Sequence, residues 1–188
     1  MPEAVIVSAV RSPIGRAVKG SLKDIRLDGT VTAGNACPLN DGAAALSVMS
    51  DTRAEELGLT PLARIVSTAV TGLSLEIMGH GPVGAIPAAL RNAGLTLADI
   101  DLFEINEVFT VQALGSAQQL GIPLEKLNVN GGAIAVGHPF GMIGARIATT
   151  LINSLQWHDK RFGVESMCVG GGMGMAMVIE RLKYEELT

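Results

Sequence analysis

The sequence predicts an α/β fold, with one mixed β-sheet covered by helices, and three observations predict it. From residue 40 onward, short β-branched segments alternate with longer stretches of helical periodicity, in the order helix, strand, helix, strand, helix, strand, helix, strand, strand. Hydrophobic residues make up 48% of the chain but aromatics only 3%, and 23 of 188 residues are Gly. The core must therefore be Val, Ile, Leu, Met and Ala, with backbones packed closely. A length of 188 residues suits one domain of ordinary size, which buries roughly 70% of its unfolded surface and needs no disulfide or metal staple.

Residues 4–9 (AVIVSA) read as a buried strand, followed by a Pro- and Gly-punctuated loop over 11–20. The neighbourhood of that loop is locally basic, with Arg11, Arg16, Lys19, Lys23 and Arg26 set against Asp24, and reads as a solvated loop. The texture changes near residues 24–28, which look like a junction. A turn-rich stretch then leads into an expected helix over 42–57, capped by Asp41 and stopped by Gly58. Residues 63–71 alternate like a strand, and 82–92 read as a helix closed by Gly94. A short strand is expected at 101–105, then a helix over 106–120 ended by Gly121 and Pro123. Residues 127–130 look strand-like, 141–157 helical, and 163–169 and 173–181 form two closing strands around a triple glycine.

Composition excludes several functions. The net charge of −4 argues against a nucleic-acid-binding surface. Two cysteines, Cys37 and Cys168, lack CxxC spacing, which excludes a disulfide scaffold or zinc finger and fits a reducing compartment. No P-loop, GxGxxG helix opening or HExxH is present. The start carries Glu3 in a short apolar run, unlike a signal peptide, and no stretch reads as a membrane span. A cytoplasmic protein is the expectation.

Four loops carry residues suited to chemistry. Asn106-Glu107 follows a strand, where ligands of α/β sheets gather; on local grounds alone Asn106 reads rather as a helix cap. His138, between Gly137 and Pro139, precedes a helix whose positive end favours neutral imidazole, able to accept a proton or to hold an oxyanion; it also reads as a core histidine. Cys168 is followed by Gly170, Gly171 and Gly172, so backbone N–H groups can approach a reacting carbonyl without a Cβ in the way. The plain alternative is a buried cysteine beside a tight turn. Met78 lies in a Gly- and Pro-shaped loop, MGHGP, where it lines a pocket or fills core; His80 has no evident partner, and His158 reads as surface.

Several motifs follow one another in order: VRSPIGR from Val10, DGTVTAGNACPLNDGAAA from Asp28, MGHGP from Met78, INEVFTVQ from Ile105, NVNGGAIAVGHPFGMIGAR from Asn128 and CVGGGMGMA from Cys168. Together they resemble the thiolase family, the acyl-CoA C-acetyltransferases and 3-ketoacyl-CoA thiolases. The resemblance implies roles residue by residue. His138 helps activate a nucleophilic cysteine and contributes to one oxyanion hole, where Asn106 holds a catalytic water. Cys168 is the acid/base that moves protons, and the N–H of Gly170 completes a second oxyanion hole. Met78 and Phe109 line the acyl pocket. Cys37 stands where many members carry a serine near the pantetheine.

The resemblance also implies a departure. Members of the family are much longer, with two similarly folded halves and a loop domain. Residues 1–26 correspond to a remnant of the N-terminal domain, its first strand and loop, and 27–188 to the C-terminal domain. The intervening part is expected to hold the nucleophilic cysteine, which neither Cys168 nor Cys37 replaces by motif. The AVIVSA strand, without its own sheet, is expected to pair with another chain or with the remaining sheet. The implied function is acyl transfer between thioesters, thiolysis of a 3-ketoacyl-CoA or Claisen condensation of acetyl-CoA. The alternative is an inactive dimerising or acyl-CoA-binding module. Coenzyme A thioesters are the expected substrates, with no cofactor and no metal, and a homo-oligomer, dimer or tetramer, is expected.

Overall fold

The computed structural model describes residues 3–11 and 31–182. The basic loop, the junction at 24–28 and most of the VRSPIGR motif lie outside the described residues. The strands are β1 (Ala4–Arg11), β2 (Ala44–Ser50), β3 (Ala63–Gly72), β4 (Leu102–Ile105), β5 (Phe162–Val169) and β6 (Met173–Arg181). The helices are α1 (Asp51–Glu56), α2 (Gly81–Ala93), α3 (Thr110–Leu120), the single turn α4 (Ala133–Val136) and α5 (Ile143–Trp157).

The strands form one six-stranded sheet in the order β2-β1-β3-β6-β5-β4. Only β4 and β5 run parallel; the other neighbours are antiparallel. The sheet is therefore mixed and helix-covered, as its pattern predicts. β1 does pair with the remaining sheet: its backbone is laddered to β2 along its length and to β3 at Val5 and Ile6. Charge fastens the same corner. Arg64 on β3 bonds Glu3 at 2.7 Å and also Glu180 on β6, whose other oxygen accepts from Arg161 at 2.7 Å.

Strand alternation divides the core in two. On one face α2 and α3 cover Phe103, Ile105, Val164, Ala176 and Val178, through Ala85, Ile86, Ala89, Leu90 and Ala117. On the other face α5 lays Ala148, Leu151, Ile152 and Leu155 on Ile6, Ala63, Leu102 and Ile179. The same alternation sends Glu104, next to Phe103, and Glu165, next to Val164, toward α5.

Four expectations need correction. The helix expected over 42–57 is strand β2 followed by α1, because residues 44–50 complete the ladder on β1; Ser50, not Asp41, caps the helix, its side chain accepting from the Arg53 N–H. The helix expected from 106 begins at Thr110, with Phe109 at its N-cap, so Asn106 caps nothing. Residues 127–130 make only a single bridge, Leu127 to Phe103, after a 3-10 turn at Leu124–Lys126. His80 does find a partner: its Nδ1 lies 3.0 Å from Gln119 Nε2. The remaining strands and α2 keep their expected places, and Gly94 and Gly121 close α2 and α3 in left-handed conformation at φ 68° and 71°.

Candidate active site

The loop after β4 is the hub. Asn106 is 1% exposed. Its N–H donates to the Ser166 carbonyl at 2.9 Å, which ties it to β5 two residues before Cys168. Its Oδ1 accepts from Nη2 of Arg146 at 3.3 Å. Arg146, on α5, is itself 1% exposed and bonds Glu104 at 2.7 Å.

Glu107 organises the opposite wall. Its carboxylate accepts from Asn128 Nδ2 at 2.7 Å and from the Ile134 N–H at 3.1 Å. Asn128 also bonds both backbone groups of Ile105, at 2.8 and 2.9 Å. One carboxylate thus fixes the end of β4 to α4, and α4 leads directly to His138. Gly137 makes that exit possible. Its φ is +94°, and a Cβ there would stand 2.2 Å from Asn40 Nδ2, the group that donates to the Val136 carbonyl at 2.9 Å.

His138 is held by its N–H on the Pro38 carbonyl at 2.8 Å, and its ring meets Phe140 edge-on at 4.8 Å. Burial first, then the Arg146 guanidinium, pulls the imidazole below its ordinary range. It is therefore neutral near pH 7, as the sequence predicts, although burial and Arg146 are the causes in place of a helix end. Its Nδ1 is buried and has no hydrogen-bond partner among the described residues.

The segment 35–38 crosses the same loop. The Cys37 N–H donates to the Val108 carbonyl at 3.0 Å, Ala36 bridges Phe109, and the Thr110 N–H donates to the Asn35 carbonyl at 2.9 Å. Burial pushes the Cys37 thiol up against a lowering backbone hydrogen bond, and charge on Cys168 and Glu107 raises it further. The two sulfurs thus lie within electrostatic reach of each other. Burial likewise pushes up the Cys168 thiol, which stays protonated near pH 7.

Cys168, next to last on β5, lies opposite Gly174 on β6. The backbones of Gly81 and Gly174 touch: a Cβ on Gly174 would lie 2.1 Å from the Gly81 carbonyl oxygen, and one on Gly81 would lie 3.2 Å from the Cys168 Cα. This contact seats the 3-10 turn Leu75–His80, which carries Met78, beside the end of β5. Gly170 is exposed and has open space where a Cβ would be, so its amide is approachable.

Hydrogen bonds tie Asn106 to Arg146 and, through Ser166, to the strand that carries Cys168, and they tie Cys37 to Val108, next to Phe109. His138 senses the charge of Arg146, and Cys37 that of Cys168. Sequence reasoning missed Glu104, Arg146 and Glu165 and gave no task to Glu107, Asn128 or Asn40. The signal for the first group was present, since a glutamate inside the apolar strand DLFEI and another in GVESM sit where charge is rarely buried alone. A cavity of about 400 Å³ opens along α5, lined by Asn130, Val136, Arg146, Thr150, Asn153 and Trp157 among others. It shares Arg146 with the site but none of the residues expected from sequence.

The thiolase N-terminal domain matches residues 25–52 and the thiolase C-terminal domain residues 59–181. The acetyl-CoA acetyltransferase of Escherichia coli K12 is 58% identical over 154 residues, covering 82% of this chain and 39% of that protein. The 3-ketoacyl-CoA thiolase of Cronobacter sakazakii is 56% identical over 158 residues, covering 82% and 41%. The crystal structure of the Bacillus anthracis acetyl-CoA acetyltransferase superposes with a TM-score of 0.80 at 49% identity, over 85% of this chain and 40% of that one. Human mitochondrial 3-ketoacyl-CoA thiolase in complex with CoA gives 0.80 at 46% identity, over 87% and 41%. The chain spans about two-fifths of the length of the curated relatives it matches.

Proposed function

The chain belongs to the thiolase family, and from that premise we propose that it serves acyl transfer between thioesters, by thiolysis of 3-ketoacyl-CoA or by Claisen condensation of acetyl-CoA. Its part is the acid/base and oxyanion half of that chemistry. Cys168 exchanges a proton with the α-carbon of the acyl group. His138, neutral, donates a hydrogen bond to the enolate oxygen, beside a water held by Asn106. The N–H of Gly170 serves a second oxyanion. A buried thiol suits the acid role, because it keeps its proton until a carbanion takes it. The nucleophile that forms an acyl-enzyme is outside this set, so the chain by itself is expected to show no thiolysis of acetoacetyl-CoA.

The observation that carries the reading is the hydrogen bond of Asn106 to the buried Arg146, with Asn106 tied through Ser166 to the strand that carries Cys168 and His138 under the same charge. The α-proton step uses the minor thiolate form of Cys168, which takes the proton to become the thiol, exchanges it with solvent and returns a deuteron to the enolate; this gives the test. With acetyl-CoA in deuterated buffer, the chain is expected to accelerate loss of the methyl proton signal, and Cys168→Ala to abolish the acceleration. Binding of acetyl-CoA with no exchange above buffer would overturn the reading. We further infer a cytoplasmic homo-oligomer; exposed Val70, Leu75, Ile77 and Met175 offer apolar surface for a second copy. No helix among the described residues is long and apolar enough to cross a membrane.

A further inference from the structure

We propose that Arg146 is a positioning residue: anchored by Glu104, it captures the side-chain oxygen of Asn106 and thereby turns the Asn106 NH₂ group toward the acyl thioester. The proposal rests on the reading above, since it explains how the group that holds the oxyanion water is aimed.

A guanidinium has five donors and no acceptor, so an amide facing it must present oxygen. Arg146 Nη2 does face Asn106 Oδ1, at 3.3 Å. The NH₂ of Asn106 is left to donate elsewhere. A free asparagine amide flips at little cost, and a flipped one would present an acceptor to the water and to the developing negative oxygen. That is the wrong sign for oxyanion stabilisation. The Arg146 contact removes this ambiguity.

The anchor is stronger than the contact it supports. Arg146 Nη1 to Glu104 Oε1 is 2.7 Å, with both side chains about 1–2% exposed. A charge-assisted bond between two buried side chains holds the guanidinium plane. Around it, Glu165 lies in register with Glu104 on the neighbouring strand and has one carboxyl oxygen without a hydrogen-bond partner among the described residues. Arg146 is thus committed to Glu104 and Asn106, with Glu165 beside them as a spectator. The same guanidinium also lowers the His138 imidazole, second to burial. One buried cation therefore orients the Asn106 oxyanion donor.

The experiment compares the unmutated chain with Arg146→Lys and Glu104→Gln, both folded, in two measurements. Side-chain amide resonances of Asn106 are followed in ¹⁵N-labelled protein, and acetyl-CoA methyl exchange is followed in deuterated buffer. Lysine keeps the charge but loses the planar fork; glutamine keeps an acceptor for Arg146 but loses the ionic anchor. Both variants are expected to shift the Asn106 NH₂ resonances and to slow exchange about 10- to 100-fold at unchanged acetyl-CoA affinity. A purely structural role would lower affinity and exchange together. If Asn106 resonances stay in place in both variants, the proposal is overturned, even where exchange slows. If Arg146→Lys does not fold, Glu104→Gln decides, and in the unmutated chain the absence of through-space contact between the Arg146 guanidinium and the Asn106 amide overturns it equally. No exchange by the unmutated chain sinks the acyl-transfer reading alone, because shifted Asn106 resonances still uphold the positioning role.

Discussion

Glu104 and Glu165 face each other across the parallel pair β4–β5, and the single guanidinium of Arg146 bonds Glu104 at 2.7 Å. Two buried carboxylates and one cation cannot all be ionised at low cost. Glu165 is the one that stays neutral: burial first, and the charge of Glu104 second, push its carboxyl up to about 8, with Arg146 only partly offsetting.

A pH-dependent stability follows. Folded Glu165 keeps its proton up to about pH 8, whereas the unfolded chain releases it near the ordinary value of 4.5. Between those values the folded state binds more protons than the unfolded state. Stability therefore falls as pH rises, by at most about 1.4 kcal/mol per pH unit for one group, and levels off above pH 8. Thermal unfolding from pH 5.5 to 8.5 is expected to show this decline, and Glu165→Gln to flatten it. An equal slope in the variant would assign the decline to other groups.

The ion pair beneath Asn106 gives a second expectation. Glu104→Ala leaves a buried guanidinium without its counterion, and Arg146→Met leaves a buried carboxylate; each is expected to cost about 3–5 kcal/mol. The double variant Glu104→Leu with Arg146→Met removes both charges and is expected to recover most of that loss. Chemical denaturation of all three checks it. Additive losses in the double variant would show that the two side chains do not stabilise each other.

How legible this was in the sequence depends on the kind of signal. Elements with a clean period and a stop, such as α2 before Gly94 and β6, read correctly because local pattern and tertiary packing agree. Residues 44–50 did not. AALSVMS has no strict alternation, and only pairing with β1, nearly forty residues earlier in the chain, makes it a strand. The same holds for the site. His138, Asn106 and Cys168 stand in loops with a recognisable shape. Arg146 and Glu165 sit inside regular elements, where a charge gives no hint of its partner until β4, β5 and α5 are packed.

Thiol reactivity separates a buried acid from an activated nucleophile. Burial raises both Cys168 and Cys37 above the ordinary thiol value. The thiolate is the species that iodoacetamide attacks, so native alkylation near pH 7.5 is expected to be slower at both than in the urea-unfolded chain, and to quicken above pH 9. Peptide mass spectrometry resolves the two sites. Faster reaction of native Cys168 than of the unfolded thiol would mean that a lowered pKa, not a raised one, operates there.

The backbone contact between Gly81 and Gly174 offers the sharpest steric test. A methyl group on Gly174 would lie 2.1 Å from the Gly81 carbonyl oxygen and 2.6 Å from its Cα. These are main-chain atoms at the start of α2, which cannot turn aside as a flexible side chain would. Gly174→Ala is therefore expected to cost about 3 kcal/mol, the upper part of the usual overpacking range. It should also displace the turn that carries Met78 from the end of β5, so acetyl-CoA binding should weaken along with stability. Gly170→Ala supplies the contrast, since nothing lies within 4 Å of a Cβ there. It is expected to leave the melting temperature nearly unchanged while slowing acetyl-CoA exchange, if the Gly170 amide faces the substrate. Equal destabilisation by the two alanines would show that the close approach at Gly174 is not what seats α2 on the sheet.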